Sequence, residues 1–277
     1  MDERSVEVGS TDGVTVVAHH LGGTGEAMVI CHATGFHGRA YAPFAVGLVE
    51  RFAVWAVDFR GHGAATRPST GSYAWTGMRD DLLAVIDALD LGRPYAVGHS
   101  MGGCAVLMAE LARPGLIAAA YLYEPIVMPV GHAIPATNEM SVAAARRRDD
   151  FTSREEALMR YATRPGLRGL RADALAAYVQ HGFVDRPDGG VRLACPSHVE
   201  ALTFAADTAL SVSQIESVTM PTVVGVGTTD LPPSPASYAP HIAAALSKAV
   251  VVEYEHLGHF GPLQDPDRIA GEVLTRL

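Results

Sequence analysis

The sequence is poor in the residues that build disulfide-rich and metal-binding proteins. It has three cysteines, Cys31, Cys104 and Cys195, with no Cys-x-x-Cys spacing. An odd, scattered set of cysteines predicts neither a disulfide framework nor a thiolate metal site. His-Glu-x-x-His is also absent, so we expect no metal. Cys31 and Cys104 fall in predicted core segments, where cysteine usually acts as a small apolar residue.

Long apolar runs are missing as well. No stretch of about 18 apolar residues could cross a bilayer, and residues 1–5 lack the basic and apolar parts of a signal peptide. These absences predict a cytoplasmic protein with no membrane partner. The glycine-rich stretches do not match Gly-x-x-x-x-Gly-Lys-Ser/Thr, so we expect no nucleotide and no other cofactor.

Positive charge is scarce. Lys and Arg total 21 against 30 Asp and Glu, which gives a formal net charge of -9. The longest basic cluster, Arg146-Arg147-Arg148, is followed at once by Asp149 and Asp150, so no nucleic-acid partner is expected. We expect a small, mostly uncharged substrate instead. Monomer and homodimer both remain open.

The residues that are present have the composition of a compact enzyme. Of the 277 residues, 48% are hydrophobic and 18% charged, which excludes a disordered chain. From residue 5 to about residue 125, and again from residue 222 to the end, short β-rich runs alternate with amphipathic stretches. This alternation predicts an α/β fold. We expect a doubly wound, mostly parallel sheet of the eight-stranded type with helices on both faces.

One segment interrupts the alternation. Between residues 127 and 213 the chain is Ala- and Arg-rich and helical in character, with breaks at Pro165-Gly166 and Asp188-Gly189-Gly190. We interpret it as a helical cap inserted into a core domain made of residues 1–126 and 214–277. Aromatic and methionine side chains of this segment, including Met128, could roof a largely apolar pocket.

A catalytic motif stands where a predicted strand meets a predicted helix. Gly98-His99-Ser100-Met101-Gly102 fits Gly-x-Ser-x-Gly, in which small flanking residues allow a sharp turn that exposes the serine hydroxyl. Ser100 is therefore the candidate nucleophile. At the start of the next helix, the Met101 N–H and the helix dipole can stabilise an anion formed on an attacked carbonyl.

A serine nucleophile needs a base and a carboxylate that orients the base. His259, in the loop before the last helix, is the best base, and His256 is its nearest rival. Two residues compete for the acid. Asp230 follows the strand near residue 226 and gives the chain order Ser, acid, His, whereas Glu124 ends the strand before the cap. We favour Asp230 slightly and expect the other carboxylate to support the site or contact the substrate.

These motifs together resemble the α/β-hydrolase superfamily over nearly the whole chain. The resemblance is carried by Gly-His-Ser-Met-Gly-Gly at residues 98–103, by Asp58-Phe59-Arg60-Gly61-His62-Gly63, by His32 and by Gly258-His259-Phe260. It implies that residues 58–63 form a structural turn. It also implies that the segment after the third strand supplies a second oxyanion-hole N–H, from Thr34 or alternatively Gly35. His32 is expected to support that segment rather than touch substrate.

Further expectations concern the acid and the pocket. Lactone hydrolases that open resorcylic macrolactones look similar in using a glutamate where Glu124 stands. Phe36 and Tyr123 adjoin the predicted catalytic loops, so we expect them to be pocket walls. Residues 78–91 read as a helix whose apolar face packs on the sheet, with Asp80, Asp81 and Asp87 largely elsewhere.

The combined pattern predicts a serine hydrolase that cleaves a carboxylic ester or lactone of a small, largely apolar substrate through an acyl-enzyme on Ser100. Carbon–carbon bond hydrolysis, thioester hydrolysis and cofactor-free perhydrolysis use the same triad and remain alternatives. A non-enzymatic small-molecule binding protein on the same scaffold is an alternative of a different class.

Overall fold

The computed structural model describes residues 4–131, 135–206, 210–230 and 234–277 of the chain. Thirteen strands lie within these residues. In chain order they are β1 (Ser5–Gly9), β2 (Thr15–Gly22), β3 (Glu26–Cys31), β4 (Phe52–Asp58), β5 (Tyr95–His99), β6 (Ala120–Tyr123), β7 (Val127–Met128), β8 (Asp150–Phe151), β9 (Phe183–Asp185), β10 (Val191–Leu193), β11 (Leu210–Ser211), β12 (Thr222–Gly227) and β13 (Ala249–Tyr254).

Eight of these strands form the central sheet, in the order β1-β2-β4-β3-β5-β6-β12-β13. The pairs from β4 to β13 are all parallel, and only the pairs made by β2 are antiparallel. Parallel strands need crossover connections, which the intervening helices provide. The predicted doubly wound, mostly parallel sheet is confirmed. Because the strands run in the same direction, the segments that follow β3, β5, β6 and β12 emerge at one edge.

Helices cover both faces of this sheet. In chain order the helices are α1 (Ala42–Ala45), α2 (Trp75–Ala88), α3 (Met101–Ala112), α4 (Glu139–Ala145), α5 (Arg154–Thr163), α6 (Ala172–His181), α7 (Ser197–Ala205), α8 (Ala239–Ala245), α9 (Gly261–Gln264) and α10 (Pro266–Arg276). Side chains of α2, α3 and α8 belong to one buried apolar cluster, and side chains of α1 and α10 to a second. No helix among the described residues is long and apolar enough to cross a membrane.

The segment between β6 and β12 adds no strand to the central sheet. It contains α4 to α7, as its helical character predicts, and also a three-stranded antiparallel sheet in the order β8-β10-β9. The break at residues 188–190 is the turn between β9 and β10, where Gly189 has a φ of +87°. At the base of the segment, β7 and β11 pair in parallel. The division into a core and a cap with boundaries at 127 and 213 stays a prediction.

The turn after β4 is built on two buried ionic groups. The carboxylate of Asp58 accepts hydrogen bonds from the N–H groups of Gly38 and Ala64 and lies 2.9 Å from the ring of His19. Burial by itself raises the pKa of Asp58, but these partners outweigh it and hold the pKa below its usual range. Arg60 is buried against the carboxylate of Asp81, which lies on α2. The expectation that Asp81 lies off the buried face of this helix is therefore wrong.

Two helical glycines provide a matched test of the packing. A Cβ on Gly102 in α3 would overlap the backbone carbonyl of Cys31, whereas a Cβ on Gly271 in α10 meets no atom within 4 Å. We expect Gly102→Ala to lower the free energy of unfolding by about 1–3 kcal/mol or more. We expect Gly271→Ala to raise it by about 0.5–1 kcal/mol, because alanine favours a helix. Urea denaturation of both variants measures the difference, and equal stabilities would contradict the close approach of α3 to β3.

Candidate active site

Ser100 lies at a strained turn between β5 and α3. Its φ of 56° and ψ of -117° are unusual for a residue other than glycine. The glycines around it permit the turn, since a Cβ on Gly98 would lie 2.6 Å from the Cα of Gly103. The Ser100 N–H donates to the carbonyl of Tyr123, which ties the turn to the end of β6. The structure thus places Ser100 at the strand-to-helix junction that the motif predicts.

A buried glutamate holds the imidazole of His259. The Nδ1 of His259 lies 2.6 Å from Oε2 of Glu124, the residue directly after β6. The other oxygen, Oε1, accepts a hydrogen bond of 2.9 Å from the N–H of Gly227 at the end of β12. Glu124 is fully buried, while 22% of the His259 side chain is exposed. With Nδ1–H donated to the carboxylate, Nε2 keeps its lone pair and can accept a proton.

The sequence-based preference for Asp230 as the partner of this imidazole is corrected by the structure. Oδ2 of Asp230 accepts a hydrogen bond of 2.6 Å from the backbone N–H of His259, not from its ring. Asp230 is exposed and lies in the loop three residues beyond β12, so it reaches the main chain of the His259 loop. Glu124 directly follows its strand and reaches the ring. His256, the rival base, is exposed with a φ of 69°.

Two backbone N–H groups in the loop after β3, those of Thr34 and Gly35, are the candidates for the second oxyanion-hole donor. In the loop after β3, Ala33 donates to the hydroxyl of Tyr41 and Phe36 donates to the carbonyl of Ala33. The N–H groups of Thr34 and Gly35 form no hydrogen bond with any described residue. The hydroxyl of Thr34 lies 3.3 Å from the sulfur of Met101, the first residue of α3. Thr34 is therefore held beside Met101, and the choice between Thr34 and Gly35 stays a prediction.

The motif residue His99 connects the two catalytic loops, a role that the sequence analysis missed. Its Nε2 lies 2.7 Å from the carbonyl of His259, and its Nδ1 lies 2.6 Å from the hydroxyl of Tyr41. Because a carbonyl only accepts, Nε2 carries the proton and Nδ1 accepts from Tyr41. Tyr41 in turn accepts from Ala33, as described above. A chain of hydrogen bonds thus runs from the His259 loop to the loop after β3, through a residue whose place in Gly-x-Ser-x-Gly was its only signal.

His32 supports the loop after β3 through hydrogen bonds, as the resemblance implies. Its Nδ1 donates to the carbonyl of Ala33, and its Nε2 accepts from the N–H of Phe59. Burial, with a smaller contribution from the nearby ring of His62, lowers its pKa to about 3. A neutral ring is required by this pattern, because a protonated ring would have no lone pair for Phe59.

A cavity of about 200 Å³ lies between this loop and the cap segment. The loop after β3 and Phe260 form one wall of the cavity, and the cap segment forms the other wall. The first wall consists of Thr34, Gly35, Phe36 and Phe260, and the second of Met140, Arg147, Arg164, Pro165, Gly166, Leu167, Tyr178, Glu200 and Phe204. Of the expected pocket walls Phe36, Tyr123 and Met128, Phe36 lines this cavity, and Met140 and Tyr178 line it among the methionine and aromatic side chains of the cap segment. The hydroxyl of Tyr123 donates 2.8 Å to the carbonyl of Gly258 and holds the His259 loop, and Met128 is half-buried in β7 away from the cavity.

The cavity also contains a buried ion pair, which qualifies the expectation of a largely apolar pocket. The guanidinium of Arg147 bonds the carboxylate of Glu200 and the hydroxyls of Tyr161 and Tyr178. The hydroxyl of Tyr178 in turn donates a hydrogen bond of 3.3 Å to the carbonyl of Gly35. The ion pair is thereby linked to the loop after β3.

Groups that could hold a metal ion were sought throughout the described ranges. They contain no set of three or more His, Cys, Asp or Glu side chains arranged to bind one. All three cysteine thiols are buried, and burial raises the pKa of each, that of Cys104 to about 12. The thiols therefore stay protonated and act as packing groups.

Comparison with known proteins agrees with this geometry. A family profile described as the alpha/beta hydrolase family matches residues 28–272. The chain belongs to the alpha/beta hydrolase family. The chain is a hydrolase of this family.

Individual relatives of the family differ in what they hydrolyse or transform. The chain is 28% identical over 203 residues to a 2-(acetamidomethylene)succinate hydrolase of Mesorhizobium japonicum, covering 73% of this chain and 70% of the relative. It is 30% identical over 222 residues to a non-heme chloroperoxidase of Streptomyces lividans, covering 76% of each. A crystal structure of an E-2-(acetamidomethylene)succinate hydrolase superposes with a TM-score of 0.78 at 22% identity and covers 99% of both chains, which shows a shared fold.

Buried imidazoles make the stability of the chain sensitive to acid. Burial lowers the pKa of His32 to about 3 and of His37 to about 4, and also lowers the pKa of His62 and His99. The unfolded chain binds protons below about pH 6.5, while the folded chain does not, so this stability is present above that pH and is lost as pH falls. We expect His32 and His37 each to remove about 2 kcal/mol of the free energy of unfolding by about pH 5.

Urea denaturation at about pH 7.5 and about pH 5 measures this loss. His37→Asn removes one of the buried imidazoles, so the variant should lose less stability between the two pH values than the wild type. His241 is exposed, and His241→Asn is the control that should keep the full pH dependence. An unfolding midpoint in the wild type that is the same at both pH values would contradict neutral, buried rings.

Proposed function

We propose that the protein is a serine hydrolase that cleaves a carboxylic ester or lactone, with Ser100 as nucleophile, His259 as general base and Glu124 as the acid of the triad. The observation that carries the proposal is the 2.6 Å contact between His259 and the buried Glu124, beside the strained turn at Ser100. A carboxylate in this place fixes the tautomer of the ring and stabilises its protonated form. Asp230 positions the backbone of the same loop.

The reaction begins with transfer of the Ser100 proton to Nε2 of His259 as Oγ attacks the substrate carbonyl. The carbonyl oxygen becomes an anion, and we expect the N–H group of Met101, together with that of Thr34 or Gly35, to stabilise it. His259 then gives the proton to the departing alcohol oxygen, and an acyl-enzyme remains on Ser100. Water attacks this ester with His259 again as base, which releases the acid and restores Ser100.

The cavity limits the substrate. The cavity volume of about 200 Å³ lies below the roughly 300–1,000 Å³ of ordinary ligand pockets, so the cavity suits a short acyl group better than a macrolactone. Thioester hydrolysis, carbon–carbon bond hydrolysis and perhydrolysis use the same groups and remain alternatives. A non-enzymatic binding protein on this scaffold would not turn over any of these substrates.

Matched substitutions of the two carboxylates test the triad with p-nitrophenyl butyrate. Ser100→Ala should abolish turnover, because it removes the nucleophile. Glu124→Gln should lower kcat by about a thousandfold or more, since an amide cannot stabilise the imidazolium. Asp230→Asn keeps an oxygen for the His259 N–H and should cost about tenfold or less.

The carboxylate experiment includes two controls. Circular dichroism checks that each variant is folded, and a fluorophosphonate probe reports whether Ser100 is reactive in the wild type. A larger loss from Asp230→Asn than from Glu124→Gln would overturn the assignment of the acid. A wild type that neither reacts with the probe nor cleaves the ester would overturn the proposed function.

The hydrogen-bond chain through His99 predicts a positioning role. Tyr41→Phe removes the hydroxyl between His99 and Ala33, so the loop after β3 loses one anchor while the triad stays intact. We expect kcat to fall about tenfold with KM nearly unchanged, because the N–H groups act mainly on the transition state. Steady-state kinetics measures kcat and KM separately, and a change confined to KM would contradict the positioning role of this hydrogen-bond chain.

A further inference from the structure

A cleft on the outside of the cap segment is lined almost entirely by arginine. It has a volume of about 360 Å³ and five lining residues: Arg146, Arg148, Arg160, Thr163 and Arg164. Arg148 pairs with Glu156. The other three arginines form no ion pair with any residue that the structure describes. Three uncompensated cations in one cleft stand out in a chain whose formal net charge is -9.

The positions of these arginines at helix ends explain only in part why cationic side chains occur here. Arg146 follows the last residue of α4, and Arg160 and Arg164 lie at the end of α5, where the helix dipole favours cations. The dipole effect does not require the side chains to bond anything, and no guanidinium N–H of the three bonds a residue of the described ranges. Each guanidinium carries five N–H donors, so the cleft offers many donors and few acceptors. A ligand that supplies several acceptor oxygens would complete it.

The cleft and the cavity beside the loop after β3 share one lining residue. Arg164 lines both the cleft and the cavity beside Thr34 and Phe36. A substrate whose acyl group occupies the cavity can therefore place its remaining part against Arg164. The group that reaches the cleft would meet Arg160 and Arg146 as well.

We propose that the cleft binds a phosphate or pyrophosphate group on the leaving alcohol or thiol of the substrate, which makes the substrate class acyl esters or thioesters of phosphorylated compounds. This inference rests on the proposed function. Three guanidinium groups match a group with more than one negative charge and several equivalent oxygens, which phosphate has and a single carboxylate has not. Arginine binds such oxygens in pairs through its planar N–H fork.

The phosphate takes no part in the bond changes. Ser100 Oγ bonds to the acyl carbon as the bond from that carbon to the leaving oxygen or sulfur breaks. The Ser100 proton passes through His259 to the leaving atom, and water later converts the acyl-enzyme to the free acid. The phosphorylated alcohol or thiol then leaves unchanged apart from its new proton.

Two thioesters with the same acyl group test the inference. Butyryl-coenzyme A carries phosphate and pyrophosphate groups, and butyryl-N-acetylcysteamine has the same thioester without them. We expect wild type to prefer the coenzyme A thioester by about tenfold or more in kcat/KM. Arg160→Gln and Arg164→Gln should each reduce this preference about five- to tenfold, mainly through KM.

Arg168→Gln is the matched control. Arg168 is an exposed arginine four residues after Arg164, it lines neither space, and its substitution changes the net charge equally. It should keep both the preference and the activity of wild type. An equal loss of preference in Arg168→Gln would show a general effect of charge and would overturn a specific site.

A direct measurement of binding distinguishes failure of this inference from failure of the proposed function. Isothermal titration with coenzyme A should show binding to wild type and at least fivefold weaker binding to Arg160→Gln. If p-nitrophenyl butyrate is cleaved but coenzyme A does not bind and its thioester is not preferred, the inference is wrong and the proposed function stands. If coenzyme A binds but no substrate is cleaved and Ser100 is unreactive, the cleft stands as a phosphate site and the proposed function is wrong.

Discussion

The contact on which the site depends is the one between the buried carboxylate of Glu124 and its two donors. A fully buried carboxylate is costly unless both oxygens are paired. Here one oxygen takes the ring of His259 and the other takes the backbone of Gly227, so β6, β12 and the His259 loop are joined by one side chain. The position of the imidazole is therefore set by the central sheet rather than by its own loop. The exposed Asp230 adds a second anchor at the backbone of that loop.

Neutral histidines hold the loops around the site in place through hydrogen bonds. His32 and His99 each use one ring nitrogen as donor and the other as acceptor, which a charged ring could not do. Burial keeps them neutral by lowering their pKa. In this way the neutral ring of His99 ties the loops after β3 and β13 to the turn that holds Ser100.

The cap segment changes what the cavity can select. A pocket lined by apolar side chains alone would discriminate by size, but here the pair formed by Arg147 and Glu200 reaches the loop after β3 through Tyr178. Arg164 continues this polar wall outward into the arginine cleft. The proposed recognition of charge and the support of the proposed oxyanion hole thus involve neighbouring residues of the same segment. The proposed substrate class follows from that arrangement.

The strands, helices and serine turn could be predicted from the sequence because they depend on local chemistry. Alternating apolar residues specify strands, helical spacing specifies α2, and the glycines around Ser100 specify a turn whatever surrounds it. The pairing of distant polar groups could not be predicted. Glu124 and Asp230 both follow strands that end at the same edge of the sheet, and only the path of the His259 loop brings one carboxylate to the ring and the other to the main chain.

The same reason explains the other corrections. Tyr123 bonds a carbonyl instead of facing substrate, and Asp81 is buried because Arg60 meets it from another segment. The sequence by itself determined the fold class, the turn at Ser100 and the loop that carries His259. The tertiary structure alone decided which carboxylate meets the imidazole and how the arginines of the cap converge, because hydrogen bonds and ion pairs depend on positions in space that residues far apart in the chain acquire only on folding.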